Sequence, residues 1–385
     1  MAFPRRQFLH GAAASPGLSA LPRLARARPF IGQIGGASMR AREMTFQNRH
    51  QVTPIKRAIT RRRLVQLAAA CAFSLGAVAR NAQAQVYPNR TIRLIAPFPA
   101  GGGTDSAARI IAARLSELLG QQVVVDNRPG AGSNIGAEAA ARSAPDGYTL
   151  LLGAPALAIN RFLYASLNYD SLTDLATVSL LCRFPNILAV PASSPLTSVR
   201  SFIDHAKANP GKVTYSSPGI GTTPHLSGEL FMRKAGIELV HVPYRGAGAG
   251  AITDTITGRV DSAFNTTGSM LQTVRSGQLR GLAVTTAQRF PTAPELPTIA
   301  ESGIPGFDVS SWYALFVPAK TPPDIIAKLN AATVTALAEP AVKTRFELLG
   351  AIAESSTPGG LGALLQSEID KWGPIIKAAG ISANN

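Results

Sequence analysis

Cysteine is nearly absent: Cys71 and Cys182 are the two in 385 residues. Cys71 falls in an N-terminal leader, so Cys182 stands alone in the body, and zinc fingers, CxxC redox modules and disulfide scaffolds are excluded. A lone thiol reads first as a small buried apolar residue, with a nucleophile as the alternative. Nucleotide and hydrolase signatures are missing too. No GxxxxGK[ST] occurs, which excludes a P-loop, and there is no GxSxG elbow. Gly130-Ala131-Gly132 is followed by Gly136 rather than by a glycine at 135, so the spacing departs from a dinucleotide turn. The body has three histidines, His205, His225 and His241, without metal-ligand spacing. No metal, no cofactor and no catalytic grouping is therefore expected.

Acidic residues are scarce at one end. Residues 1–84 hold 14 of the 38 Lys and Arg but a single acid, Glu43, so the other 301 residues carry 24 basic and 21 acidic side chains. The charge of +16 belongs to the leader, and a nearly neutral body gives no footprint for nucleic acid.

That leader has the order of an export signal. Lys56, Arg57 and Arg61–Arg63 precede an uncharged apolar stretch of 16 residues, Leu64 to Ala79, and Ala82-Gln83-Ala84 supplies the small residues of a cleavage site. The stretch is short for a membrane span of about 20 residues, so cleavage after Ala84 is predicted. Thr60-Arg61-Arg62-Arg63-Leu64 resembles a twin-arginine signal, leaving the Sec and twin-arginine routes both open. Pro4-Arg5-Arg6-Gln7-Phe8-Leu9 reads as a second such leader upstream. Two in series point to a decayed signal or to a start at Met39 or Met44.

From Gln85 onward short apolar runs alternate with amphipathic stretches. Strands are predicted at 91–98, 122–126, 148–152, 187–190, 213–217, 238–242, 260–264, 279–285 and 312–317. Helices are predicted after Thr104 as N-cap and at 134–142, 199–208, 225–235, 249–257 and 268–276. Further helices follow at 322–338 with Thr321 as cap, 341–349 and 359–378. This alternation predicts an α/β protein with largely parallel sheets. The strandless C-terminal helices need a sheet to pack on, most plausibly the first. The expected division is thus discontinuous: 85–187 with 312–385 as lobe 1, and 188–311 as lobe 2, with two crossings forming a hinge.

Four loops follow a strand and open a helix: PAGGGTD at 99–105, NRPGAGSNIG at 127–136, SPGIGTTP at 217–224 and YRGAGAG at 244–250. Glycine lets backbone N–H groups approach a ligand, and helix N-termini present donors with partial positive charge. Gathered at the carboxyl ends of strands, such loops form an anion cradle without Arg or Lys. Four or five charge-assisted hydrogen bonds of about 1.5–3 kcal/mol each reach the roughly 8 kcal/mol of micromolar binding. The plain alternative for each loop is a tight βα connection. Asp105 reads as an acceptor that fixes its loop, and His225 and His241 as hydrogen-bonding groups near the cleft rather than bases.

These loops, together with PDGYTLLLG at 145–153, AKANPGKVTYSSPGIGTTPHLSGELF at 206–231, HVPYRGAGAGAITDTITGRVD at 241–261, LRGLAVTTAQR at 279–289 and PTIAESGIPGF at 297–307, resemble the solute-binding proteins of tripartite tricarboxylate transporters, the Bug receptors. The resemblance spans essentially all of 85–385. It implies a two-lobe, type II periplasmic-binding-protein fold of the Venus-flytrap kind. It further implies a periplasmic receptor, monomeric, that captures a small organic acid and delivers it to membrane permease subunits. Carried over by position, the first-lobe contacts are Gly103, Thr104, Asp105, Ser133 and Asn134, with Pro155 and Ala156 beside them. Those of the second lobe are Ser217, Gly219, Gly221, Thr222, Thr223 and Asn265. Many relatives carry an acid near position 265; the neutral amide here favours an acceptor-rich distal ligand end over an ammonium. Two other readings stay open: an exported hydrolase-like α/β enzyme using Cys182 or a cleft histidine, and a ligand-reporting partner of a membrane sensor.

Overall fold

A computed structural model describes residues 87–244 and 249–383. The leader, its twin-arginine text and the cleavage site lie outside the described residues, as does most of the 244–250 loop.

The first sheet starts from three strands, β1 (Ile92–Ala96), β2 (Val123–Asn127) and β3 (Thr149–Gly153), with β1 parallel to both neighbours. Between them run α1 (Gly103–Leu119) and α2 (Asn134–Ala141). Gly120 ends α1 in the left-handed conformation that lets the chain turn back, at φ 69°. The N-cap of α1 is Gly102 rather than Thr104, which lies inside the helix. After β3, α3 (Ala156–Leu163) leads to the long β4 (Leu175–Pro191).

The second sheet contains β5 (Thr214–Ser217), β6 (Val240–Pro243), β7 (Ser262–Thr266) and β8 (Leu279–Val284), separated by α4 (Val199–Ala208), α5 (Thr223–Ala235), α6 (Ala249–Ile256) and α7 (Thr267–Arg275). The chain then returns through β9 (Ser310–Pro318) to α8 (Pro323–Ala338), α9 (Pro340–Leu348), the short β10 (Ile352–Ala353) and α10 (Pro358–Ala378). Thr321 does not cap α8: Pro322 holds that position, and the Thr321 hydroxyl donates to the Pro318 carbonyl at 2.7 Å.

β4 belongs to both sheets. Residues 175–185 pair antiparallel with β9, which in turn pairs antiparallel with β3, while residues 186–191 pair antiparallel with β7 and β8. The parallel pairs β5–β6 and β5–β7 complete the second sheet. The sheets are therefore mixed, not largely parallel. β4 and β9 carry the chain out and back between the same two sheets, so they must run in opposite directions. Pro185 sits where β4 leaves one sheet for the other, a point where a missing N–H interrupts no ladder.

Each sheet is covered on both faces by apolar side chains. Leu94, Ile111, Leu150 and Phe346 lie on one face of the first sheet, and Ile95, Leu151, Trp312 and Leu365 on the other. The second is packed around Phe202, Tyr215, Phe231, Phe264 and Phe307 on one side and Ile187, Met270 and Val284 on the other. Ile159 and Leu163 of α3 and Trp372 and Ile376 of α10 join the aromatic cluster of the second sheet. These two helices thus tie the sheets together at the side of the crossing strands. Cys182 is fully buried in β4, and burial pushes its thiol up, so it is a core residue and not a nucleophile.

Candidate functional site

Every residue expected in the site lies at, or just past, the carboxyl end of a parallel strand. The loop after β1 is locked by Asp105. One carboxylate oxygen accepts from Gly101 N–H at 3.0 Å and from Arg109 Nε at 2.9 Å, and the other from Asn127 Nδ2 at 3.0 Å. Arg109's hydrogen bond, ahead of the opposing effect of burial, holds this carboxyl below its ordinary value. Asp105 is thus the loop-fixing acceptor its position suggests, and its oxygens are committed. The N–H groups of Gly103 and Thr104, in the first turn of α1, have no intrahelical acceptor. Beside them, the Thr104 hydroxyl donates to the Tyr313 hydroxyl of β9 at 3.1 Å.

The loop after β2 is unusual in its backbone. Gly130, Ala131, Gly132 and Ser133 all have positive φ, at 128°, 46°, 62° and 84°. Two of them are not glycine, and such strain persists only where the surroundings fix it. Asn160 of α3 does so. Its Nδ2 donates at 2.8 Å both to the Gly132 carbonyl and to Asn134 Oδ1. A carbonyl can only accept, so this contact orients the Asn160 amide, which in turn orients Asn134. Tyr169 adds a second donor to Asn134 Oδ1 at 2.9 Å. With its oxygen doubly engaged, Asn134 turns out an NH₂ group that is buried and has no hydrogen-bond partner within the protein. Pro155 and Ala156 start α3, the helix that supports this arrangement.

The second-sheet loop uses its N–H groups inwardly. Gly219 N–H donates to Ser217 Oγ at 3.2 Å, and Gly221 N–H donates to His225 Nδ1 at 3.1 Å. Thr222 caps α5, accepting from His225 N–H and donating to the Gly219 carbonyl at 2.7 Å. Gly221 has φ 75°, a conformation that favours glycine, and a Cβ there would press on the Leu163 side chain of α3. Thr223 opens α5, and its hydroxyl bonds the Ser311 hydroxyl of β9. Asn265 is buried on β7, its Oδ1 accepting from Thr266 N–H at 2.9 Å.

Two elements bring the predicted residues together. α3 touches Gly132 and Asn134 through Asn160 and Gly221 through Leu163, and β9 touches Thr104 through Tyr313 and Thr223 through Ser311. None of these four linking residues stood out in the sequence. The signal for Asn160 was a lone amide on the buried side of an apolar segment, ALAINRFL. A cavity of about 520 Å³ lined in part by Arg161, Tyr164 and Tyr169 lies behind the 130–134 loop, not within the cradle. Among the described residues no cluster of three or more His, Cys, Asp or Glu could hold a metal ion.

Two sheets joined by crossing strands, with glycine-rich helix starts at their strand ends, define the class of two-lobed solute-binding receptors. Residues 107–381 match the family model described as the tripartite tricarboxylate transporter family receptor. Protein BugT of Bordetella pertussis is 38% identical over 305 residues, 79% of this chain and 93% of that one. A protein encoded in the tcbD–tcbE intergenic region of Pseudomonas sp. strain P51 is 39% identical over 306 residues, covering 79% and 91%. Among solved structures, an R. palustris protein with adipate superposes with a TM-score of 0.71 at 39% identity, covering 77% of this chain and 99% of that one. MatC from Rhodopseudomonas palustris with bound malate gives 0.66 at 32%, covering 75% and 100%. The chain belongs to the tripartite tricarboxylate transporter receptor family. It is a solute-binding receptor with an extracytoplasmic place of work, and not an enzyme, which removes the hydrolase reading.

Proposed function

We propose that this receptor captures a small organic carboxylate in the cradle formed by the 101–105 and 130–134 loops and delivers it to the permease subunits of a tripartite tricarboxylate transporter. The observation that carries the reading is the Asn134 amide. Its oxygen is fixed by Asn160 and Tyr169, and its buried NH₂ is left as a donor without an acceptor. A buried donor left so costs about 1–3 kcal/mol, and a carboxylate oxygen is the acceptor that best offsets it. Gly103 and Thr104 N–H groups add the positive end of α1. Asp105 contributes by its main chain, since its carboxylate is already committed. Ser133, Pro155 and Ala156 shape the same wall. Ser217, Gly219, Gly221, Thr222, Thr223 and Asn265 form the opposing wall. Adipate and malate in the relatives' structures are of the same chemical class.

The division 85–187 with 312–385 against 188–311, a monomeric state, and export by a cleaved leader through Sec or the twin-arginine route complete the proposal. A thermal-shift panel of mono-, di- and tricarboxylates, amino acids and aromatic acids tests it. Saturable stabilisation by at least one carboxylate is expected, about 2.7 kcal/mol at a hundredfold excess over Kd. A panel in which no carboxylate stabilises the protein contradicts it.

A further inference from the structure

Beneath the 217–223 loop lies a buried group of titratable side chains that solute capture does not itself employ. His225 on α5 and His241 on β6 stack with ring centroids 4.0 Å apart. Tyr215 of β5 stacks on the outer face of His241 at 4.8 Å, and its hydroxyl donates to Glu229 Oε1 at 2.8 Å. Glu229 Oε1 in turn lies 3.4 Å from His225 Nε2. On the loop side, His225 Nδ1 accepts from Gly221 N–H, and His241 Nε2 bonds Ser217 Oγ at 2.7 Å. Both histidines thus hold the loop from below, one through its backbone and one through the serine that receives Gly219.

The Gly221 bond assigns the state of His225. A nitrogen that accepts an N–H carries no proton, so the ring is neutral and its hydrogen sits on Nε2, facing Glu229. Glu229 is the charged group facing the ring from its own helix; from β6 it faces His241, and from β5 Tyr215 reaches it through Glu229. Burial, then the neighbouring His225, hold His241 down at about 3, so it stays neutral across the ordinary range. Glu229 stays ionised: burial raises it, but hydrogen bonds from His225 and Tyr215 hold it below its usual value.

We propose that His225 is a positioning residue. Its Nδ1 lone pair holds Gly221 N–H and so shapes the second-lobe loop that faces the solute. The proposal rests on the solute-binding reading above, yet it makes a separate claim about the unliganded chain. Two amide variants divide the ring's functions. In His225→Asn the side-chain oxygen falls where Nδ1 stood and keeps the acceptor. In His225→Gln the amide nitrogen falls where Nε2 stood and keeps the donor to Glu229 but loses the acceptor.

Amide hydrogen exchange at Gly221, read by NMR on the unliganded full chain, is the first measurement. Exchange is expected to rise about tenfold in His225→Gln and to stay within about threefold of wild type in His225→Asn. Calorimetric titration of wild type and both variants with adipate is the second. His225→Gln is expected to bind several-fold more weakly than wild type, and His225→Asn to stay within about twofold of it. Equal exchange in the two variants, or equal affinity in His225→Gln and His225→Asn, overturns the proposal. Should adipate not bind, a carboxylate that stabilises the protein in the thermal-shift panel takes its place, and the exchange at Gly221 decides the role of His225.

Discussion

The loops at 99–105 and 217–224 are written in similar residues, PAGGGTD and SPGIGTTP, yet they use their backbone differently. In the first, the Asp105 carboxylate takes Gly101 N–H, and the first turn of α1 has no side-chain cap. In the second, Ser217 and His225 take the Gly219 and Gly221 N–H groups for the loop itself. A run of glycines next to a helix start therefore does not say which way its donors point. The nearest side-chain acceptor decides that. One acceptor here is a carboxylate that Arg109 holds below its ordinary value, and the other is an imidazole.

Asn134→Asp breaks this comparison hardest. The substitution keeps shape but places a negative oxygen where the NH₂ stood, and affinity for a bound carboxylate is expected to fall at least about a hundredfold in calorimetry. Next comes Gly221→Ala. The positive φ and the contact with Leu163 predict a loss of about 2 kcal/mol in urea unfolding, together with weaker binding. Asp105→Asn sharpens the contrast. Because the folded carboxyl is held below its ordinary value, its contribution is present above about pH 4 and is lost as pH falls through the folded value. The stability gap between wild type and variant should accordingly be constant near neutrality and close below about pH 4 in denaturant titrations. Smallest is Cys182→Ala, expected to cost about 1 kcal/mol with carboxylate affinity unchanged, since that thiol lies in the core.

Much of the fold was legible because its local signals agree. α4 falls on the predicted 199–208, where Ser198 and Ser201 form a capping box ahead of a clear apolar period. The crossing strands were harder. β4 runs over 17 residues, but bulges near Ser179 and Leu180 and the proline at 185 break its alternation, so only its far end read as a strand. α3 was missed altogether; it is 8 residues long, follows a proline and is apolar on most sides. In the site, the glycine loops announced themselves by composition. Three residues that orient them did not, because Asn160, Tyr313 and Ser311 act across 28, 209 and 88 positions of sequence respectively. The geometry separated donors already used within the loops from the Asn134 amide, which has no partner in the protein.

The account turns on the Asn134 amide as the donor that meets a solute carboxylate. Titrating the protein with its best carboxylate while following the Asn134 side-chain NH₂ resonances by NMR tests this directly. The account predicts a downfield shift that saturates with the calorimetric Kd. Saturated binding with those resonances unmoved would contradict it.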